Sequence, residues 1–230
     1  FEKLNKIFNT QVNIQSKEET RLLFRLTSVV ANHYHQTHNF FDKLGIIIHF
    51  IIETSNSSIS DYIDDIKNFN RRLLFHLLDK KYIIPDQKLI NNYIYNKSFV
   101  EYYHYLYPVM KQFLDKNSRD RIEKSIISKY DMSIDAFTEK CRLNENDLYI
   151  CSLIREDSIE DFIKYVNKKS ISLSGQIKPS FYETNQFLMN KSPTLIEYAS
   201  FYGSIQIIQY LKNNNVELTD SLWQYAVHSK

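Results

Sequence analysis

Apolar residues recur along this chain at helical spacing nearly throughout, and the pattern predicts a succession of short helices. Leu22, Leu23, Leu26, Val29 and Val30 give one amphipathic stripe. Residues 40–53 are almost wholly apolar and predict a central helix. A helix over 58–69 follows Asn and Ser residues suited to capping it. Residues 71–81 carry Leu73, Leu74, Leu77 and Leu78 on one side; Pro85 then stops one helix and 86–95 form the next. Residues 99–114 are rich in aromatics and broken by Pro108. Further helices are expected over 119–129, 145–155, 158–166, 193–201, 204–212 and 220–228.

Composition sharpens this picture. Of 230 residues, 43% are hydrophobic, which is enough for one large or two small domains and excludes a disordered chain. Three glycines and four prolines are too few for the many tight turns of a strand-rich fold. The net charge is +2, from 29 basic and 27 acidic residues, so nothing electrostatic points to nucleic acid. No apolar run reaches the roughly 18 residues of a membrane span; residues 44–52, broken by His49, read as a buried helix. Cys141 and Cys151 lie ten apart within helical pattern and read as reduced, buried thiols. That usage, with no charged start leading into an apolar stretch, predicts an intracellular protein of the cytoplasm, with nucleus or cytoskeleton as alternatives.

Self-similarity is the most informative feature. Residues 158–173 read SIEDFIKYVNKKSISL and residues 204–218 read SIQIIQYLKNNNVEL. With one residue removed from the first, Ile163 meets Ile208, Tyr165 meets Tyr210, Val166 meets Leu211, Ile171 meets Val216 and Leu173 meets Leu218. Upstream, Leu195-Ile196-Glu197-Tyr198-Ala199 recurs 27 residues later as Leu222-Trp223-Gln224-Tyr225-Ala226. A weaker echo relates 74–86 to 207–219. Residues 174–192 form an insertion between the first two units.

The unit from Thr194 to Leu218 resembles an ankyrin repeat. Thr194 to Ala199 stands at the family's Thr-Pro-Leu-His-x-Ala opening, Gly203 at the glycine between paired helices, and Ile207, Ile208 and Leu211 at the apolar positions of the second helix. Asn215 replaces the closing glycine, which suits it to the left-handed region. Leu195 replaces the proline and Glu197 the histidine, so the turn is expected to lose its usual hydrogen-bonding side chain. Asp157 stands where the preceding unit should have its glycine, and the 27-residue spacing is shorter than the usual period of about 33. More closely, the stretches ICSLIREDSIEDFIKYVN (150–167), SLSGQIKPSFYETNQFL (172–188), PTLIEYASFYGSIQI (193–207) and VELTDSLWQYAVH (216–228) resemble a large family of protist, parabasalid-type ankyrin proteins. The match is dense from about residue 144 and looser through 32–41 and 71–83. It implies a fold and no assigned activity.

Candidate chemistry is sparse. His33, His35 and His38 form the one histidine cluster, but His33 points away from the other two and no Cys or acid before Asp42 completes a ligand set, so no metal is expected. Cys141 and Cys151 lack the flanking signature of a nucleophile. No phosphate-cradling loop or zinc-hydrolase motif occurs, and adjacent acids such as Asp64-Asp65 diverge on a helix. Tyr102, Tyr103, Tyr105 and Tyr107 could stack bases, yet only Lys97 and Lys111 flank them closely, so packing is expected. No cofactor and no catalytic residue is assigned. Repeat proteins bind partners through variable positions on their helices and loops, and Tyr and Trp carry much of such energy. The candidate protein-binding residues are therefore Tyr198, Tyr202 and Trp223, the last either partner-facing or buried between stacked units, with Phe181 and Tyr182 in the insertion.

The sequence thus predicts an all-α chain: a helical N-terminal region over 1–140, then a helical-repeat solenoid of degenerate ankyrin-type pairs over 144–230. Its last unit holds one helix, so the natural protein is expected to continue into further repeats or a cap. The expected role is non-catalytic binding of a protein partner, with a structural subunit of a large assembly as alternative and an enzyme as the weaker one.

Overall fold

A computed structural model of the chain describes residues 16–33, 39–55, 58–62, 70–95, 103–189 and 191–229. Among them the structure is helical, with one isolated antiparallel bridge between Gln176 and Thr194. The helices are α1 (Lys17–His33), α2 (Phe40–Ser55), α3 (Arg71–Asp79), α4 (Gln87–Tyr95), α5 (Tyr107–Met110), α6 (Lys116–Tyr130), α7 (Ile134–Leu143), α8 (Tyr149–Arg155), α9 (Ile159–Lys169), α10 (Leu195–Tyr202), α11 (Ile205–Asn213) and α12 (Leu222–Ala226). None of the described helices is long and apolar enough to cross a membrane. The chain forms two compact units, Phe1–Arg142 and Leu143–Lys230.

In the N-terminal unit α2 packs between α1 and α3, and α3 also meets α5. The central helix buries Phe41, Leu44, Ile48 and Ile51, as its apolar run predicts. Gly45 on the same helix lies against Tyr82, whose ring a Cβ would strike. Asp86 explains where α4 starts: its carboxylate accepts the backbone N–H of Leu89 (2.8 Å) and the hydroxyls of Ser58 (2.6 Å) and Ser60. Pro108 sits at the start of α5 rather than kinking a longer helix.

The structure differs from the sequence expectation on α1, at residues 59–62 and at α7. The stripe on α1 does not face inward: Thr20, Phe24, Thr27, Ser28 and Ala31 are buried, while Leu22, Leu26 and Val29 are more than half exposed. Two contacts set that rotation, the stacking of Phe24 on Tyr62 (4.8 Å) and the Ser28 hydroxyl accepting the Asn70 backbone N–H (2.7 Å). The helix expected over 58–69 is described only as the short 3₁₀ turn Ile59–Tyr62; the rest lies outside the described residues. Helix α7 was not predicted, because its polar sequence hides the two buried side chains that hold it, Phe137 and Cys141.

The C-terminal unit is a short stack of paired helices. α8 pairs with α9 and α10 with α11; α10 packs on α8, α11 on α9, and α12 on α10. One core runs through the stack, including Ile154, Phe162, Val166, Ile196, Phe201, Ile207 and Leu211, all at most 2% exposed. The turns between partners use the left-handed region, with φ of 49° at Asp157 and 71° at Gly203. Asp157 is a departure the fold turns to use: its carboxylate accepts the backbone N–H groups of Gln206 (3.1 Å) and Ile207 (3.0 Å), capping α11. The capping offsets the cost of a non-glycine residue at positive φ. Asn215 takes the left-handed conformation expected of it, at φ 59°.

Candidate functional site

The helices α8, α10 and α12 begin at residues 149, 195 and 222, so their positions can be compared in register. Ile150, Ile196 and Trp223 are equivalent, as are Cys151, Glu197 and Gln224. The same holds for Leu153, Ala199 and Ala226, and for Ile154, Ser200 and Val227. All eight positions on α8 and α10 are buried, and all four on α12 are exposed. Trp223 is 65% and Val227 69% exposed, one helical turn apart on one face. In α8 and α10 this face belongs to the core of the stack, whereas in α12 it is open. It is the candidate functional site.

A second feature is the loop over 174–192. Its ends are tied by backbone hydrogen bonds from Ile177 to the Pro193 carbonyl (2.8 Å) and from Leu195 to the Gly175 carbonyl (3.1 Å). Its middle is stapled to the segment before α8. Buried Glu183 accepts the backbone N–H groups of Thr184 and Asn185 (both 2.9 Å) and of Asn146 (3.3 Å). Ser180 donates to Asp147 (2.7 Å), Thr184 to the Asn144 carbonyl (2.5 Å), and Asn146 to the Lys178 carbonyl (3.0 Å). Burial pushes the Glu183 carboxyl above its ordinary range against the pull of those backbone donors. Arg155 completes the network, bonding Glu145 (2.8 Å), the Asn146 carbonyl (2.9 Å) and the Tyr198 hydroxyl (2.9 Å). A recess lined by Asn146, Ser180, Glu183, Lys191 and Tyr198 has room for about one water.

Glu197 corrects the expectation of a lost hydrogen-bonding side chain. It forms a capping box with Thr194, accepting the Thr194 backbone N–H at 2.8 Å while its own N–H donates to the Thr194 hydroxyl. Its other oxygen accepts from Thr219 (3.0 Å) and Ser221 (2.5 Å), which anchors the approach to α12. Burial pushes its carboxyl up, but the bonds from Ser221, Thr194 and Thr219 outweigh it and hold the pKa below the usual carboxylate range. A carboxylate with a depressed folded pKa contributes stability that is present above its unfolded value and lost as pH falls through the folded one. The E197Q variant is therefore expected to lose ~1 kcal/mol near neutral pH. The gap to the parent should close as pH falls below about 4. Urea midpoints of both proteins across that range check it; a gap that widens on acidification would contradict the assignment.

The structure separates the five residues singled out for protein binding. Tyr198 is 1% and Tyr182 4% exposed, so neither ring is a binding surface. Tyr198 is held inward by Arg155 and by its contact with Tyr202 (4.9 Å), whose hydroxyl is itself buried. Phe181 is half-buried against Tyr182 (5.4 Å). Trp223 alone of the five is open to solvent. Val227, Gln224 and Ala226 were missed; the recurring Leu-x-x-Tyr-Ala carried the register that finds them.

Both cysteines are free and buried, and burial pushes each thiol up to about 12, so neither is a thiolate near neutral pH. Buried His104 meets the hydroxyls of Ser125 (3.1 Å) and Tyr130 (3.3 Å) through its two ring nitrogens, and burial lowers its pKa. His33 bonds the Val29 carbonyl (2.9 Å), and His35 and His38 lie outside the described residues. Among the described residues no three His, Cys, Asp or Glu side chains gather as a metal site would require. No family model, no curated protein and no solved structure matches this chain.

Proposed function

We propose that the C-terminal unit is a degenerate ankyrin-type helical stack that binds a protein partner, without chemistry of its own, on a helical surface that includes the outer face of α12 with the exposed Trp223 and Val227. The observation that carries this reading is the contrast in register. Ile150 and Ile196 are buried, while the equivalent Trp223 is 65% exposed. Trp is also the residue type that most often anchors an interface. Two free, buried thiols support an intracellular setting.

The test places a photo-activatable residue at 223 or 227, and at the exposed Lys168 on α9 as a control, in the chain expressed in its source cells. Positions 223 and 227 should cross-link to the same protein, and position 168 should not. Equal labelling from all three would refute the assignment. The W223D variant should lose that adduct while keeping its thermal stability, since an exposed substitution costs within about 0.5 kcal/mol.

A further inference from the structure

The loop over 174–192 brings a second aromatic group against α12, on the side away from Trp223. Phe187 and Tyr225 meet at nearly a right angle, with centroids 5.0 Å apart and planes at 75°. The Phe187 ring is backed by Phe201, stacked almost parallel at 5.9 Å, and by His228 at 4.5 Å. Tyr225 is buried and Phe187 half-buried. The ammonium of Lys191 lies in it, 3.5 Å from the Phe187 centroid and 5.6 Å from that of Tyr225. Both distances are within the range at which a cation is attracted to a ring face. Lys191 itself is exposed, so its place in the corner is open to exchange.

The surroundings select among cations. Glu197 lies close enough to Tyr225 for its charge to raise the phenol pKa, behind the larger effect of burial. Its charge thus reaches the Tyr225 wall of the corner. Its oxygens, however, already accept four hydrogen bonds, two from Thr194 and one each from Thr219 and Ser221. A carboxylate has about four lone-pair sites, so nothing remains for the N–H donors of a guanidinium. A cation without N–H groups needs no such acceptor and is less strongly hydrated than the ammonium it displaces.

We propose that the Phe187–Tyr225 corner is a binding site for a trimethylated lysine side chain of a protein partner, with Lys191 as the built-in occupant that the ligand displaces. The site goes beyond the outer face of α12 and does not require it, so loss of one leaves the other standing. The probe is Nα-acetyl-trimethyllysine amide, titrated into the full chain while the ring protons are followed by NMR. Against the K191A variant it should bind saturably, and about two- to fivefold more tightly than against the parent, the worth of one exposed cation–π contact. Unmethylated acetyl-lysine amide should bind several-fold more weakly. The F187L change in the K191A background keeps the apolar volume, which circular dichroism can check through the fold, and should abolish the shifts. Equal affinity for the methylated and unmethylated probes would overturn the proposal. So would an unchanged affinity in F187L, no gain on removing Lys191, or tighter binding of phosphocholine than of the lysine derivative.

Discussion

The F162A variant is expected to lose ~3–5 kcal/mol of stability, the usual cost of emptying a fully enclosed aromatic site. Phe162 on α9 is 0% exposed and meets Tyr210 of α11 edge-on at 6.1 Å. It thus ties the second helices of two successive pairs. A domain of this size is stable by about 5–15 kcal/mol, so the loss is a large part of the whole. Urea unfolding followed by far-ultraviolet circular dichroism reads it directly. F162L retains most of the volume and should lose about 1 kcal/mol. If alanine and leucine cost the same, the ring is not packed as described. The same unfolding experiment applied to W223A should show almost no change, because Trp223 contributes area to solvent and none to this core.

That contrast between two aromatic residues shows what the sequence could and could not reveal. Its helical periodicity placed α2, α9, α10 and α11 within a few residues of their observed limits, since each buries a regular apolar stripe. The recurrence of Leu195 to Ala199 at Leu222 to Ala226 gave the register on which the candidate site depends. Spacing alone does not say which face of a helix is covered, however. On α1 Leu22 and Leu26 face outward because Phe24 and Ser28 have better partners elsewhere in the chain. Tyr198 looked like an exposed binding residue because tyrosine is often one. It is buried because Arg155, 43 positions away in sequence, satisfies its hydroxyl. Glu197 looked like a defect in the turn, but its length lets one carboxylate reach both Thr194 and the residues leading into α12. Each of these misreadings involves a polar partner distant in sequence, for which periodicity has no signal.

Arg155 is the most consequential of those distant partners, and its removal should be the second most damaging change. Its side chain is 14% exposed and that of Glu145 26% exposed, so the pair sits largely out of water. Burial works against the charge, but Tyr198 and Glu145 more than compensate and raise its pKa. Removing one member of a buried ion pair leaves the other in poor solvent and costs ~3–5 kcal/mol. Here the Asn146 carbonyl and the Tyr198 hydroxyl also lose this donor, and Asn146 is the point at which the 174–192 loop is stapled down. R155M, which fills the space without the charge, should therefore fall near the lower end of that range and expose the loop to protease. R155K should recover only part of the loss, because an ammonium cannot reproduce a fork that serves three acceptors in fixed directions. The decisive comparison is E145Q alone, R155M alone and the two together. If the ion pair is the main interaction, the double variant costs less than the sum of the singles. If the costs simply add, Arg155 acts through Asn146 and Tyr198 instead, and the loop rather than the charge pair is what it stabilises.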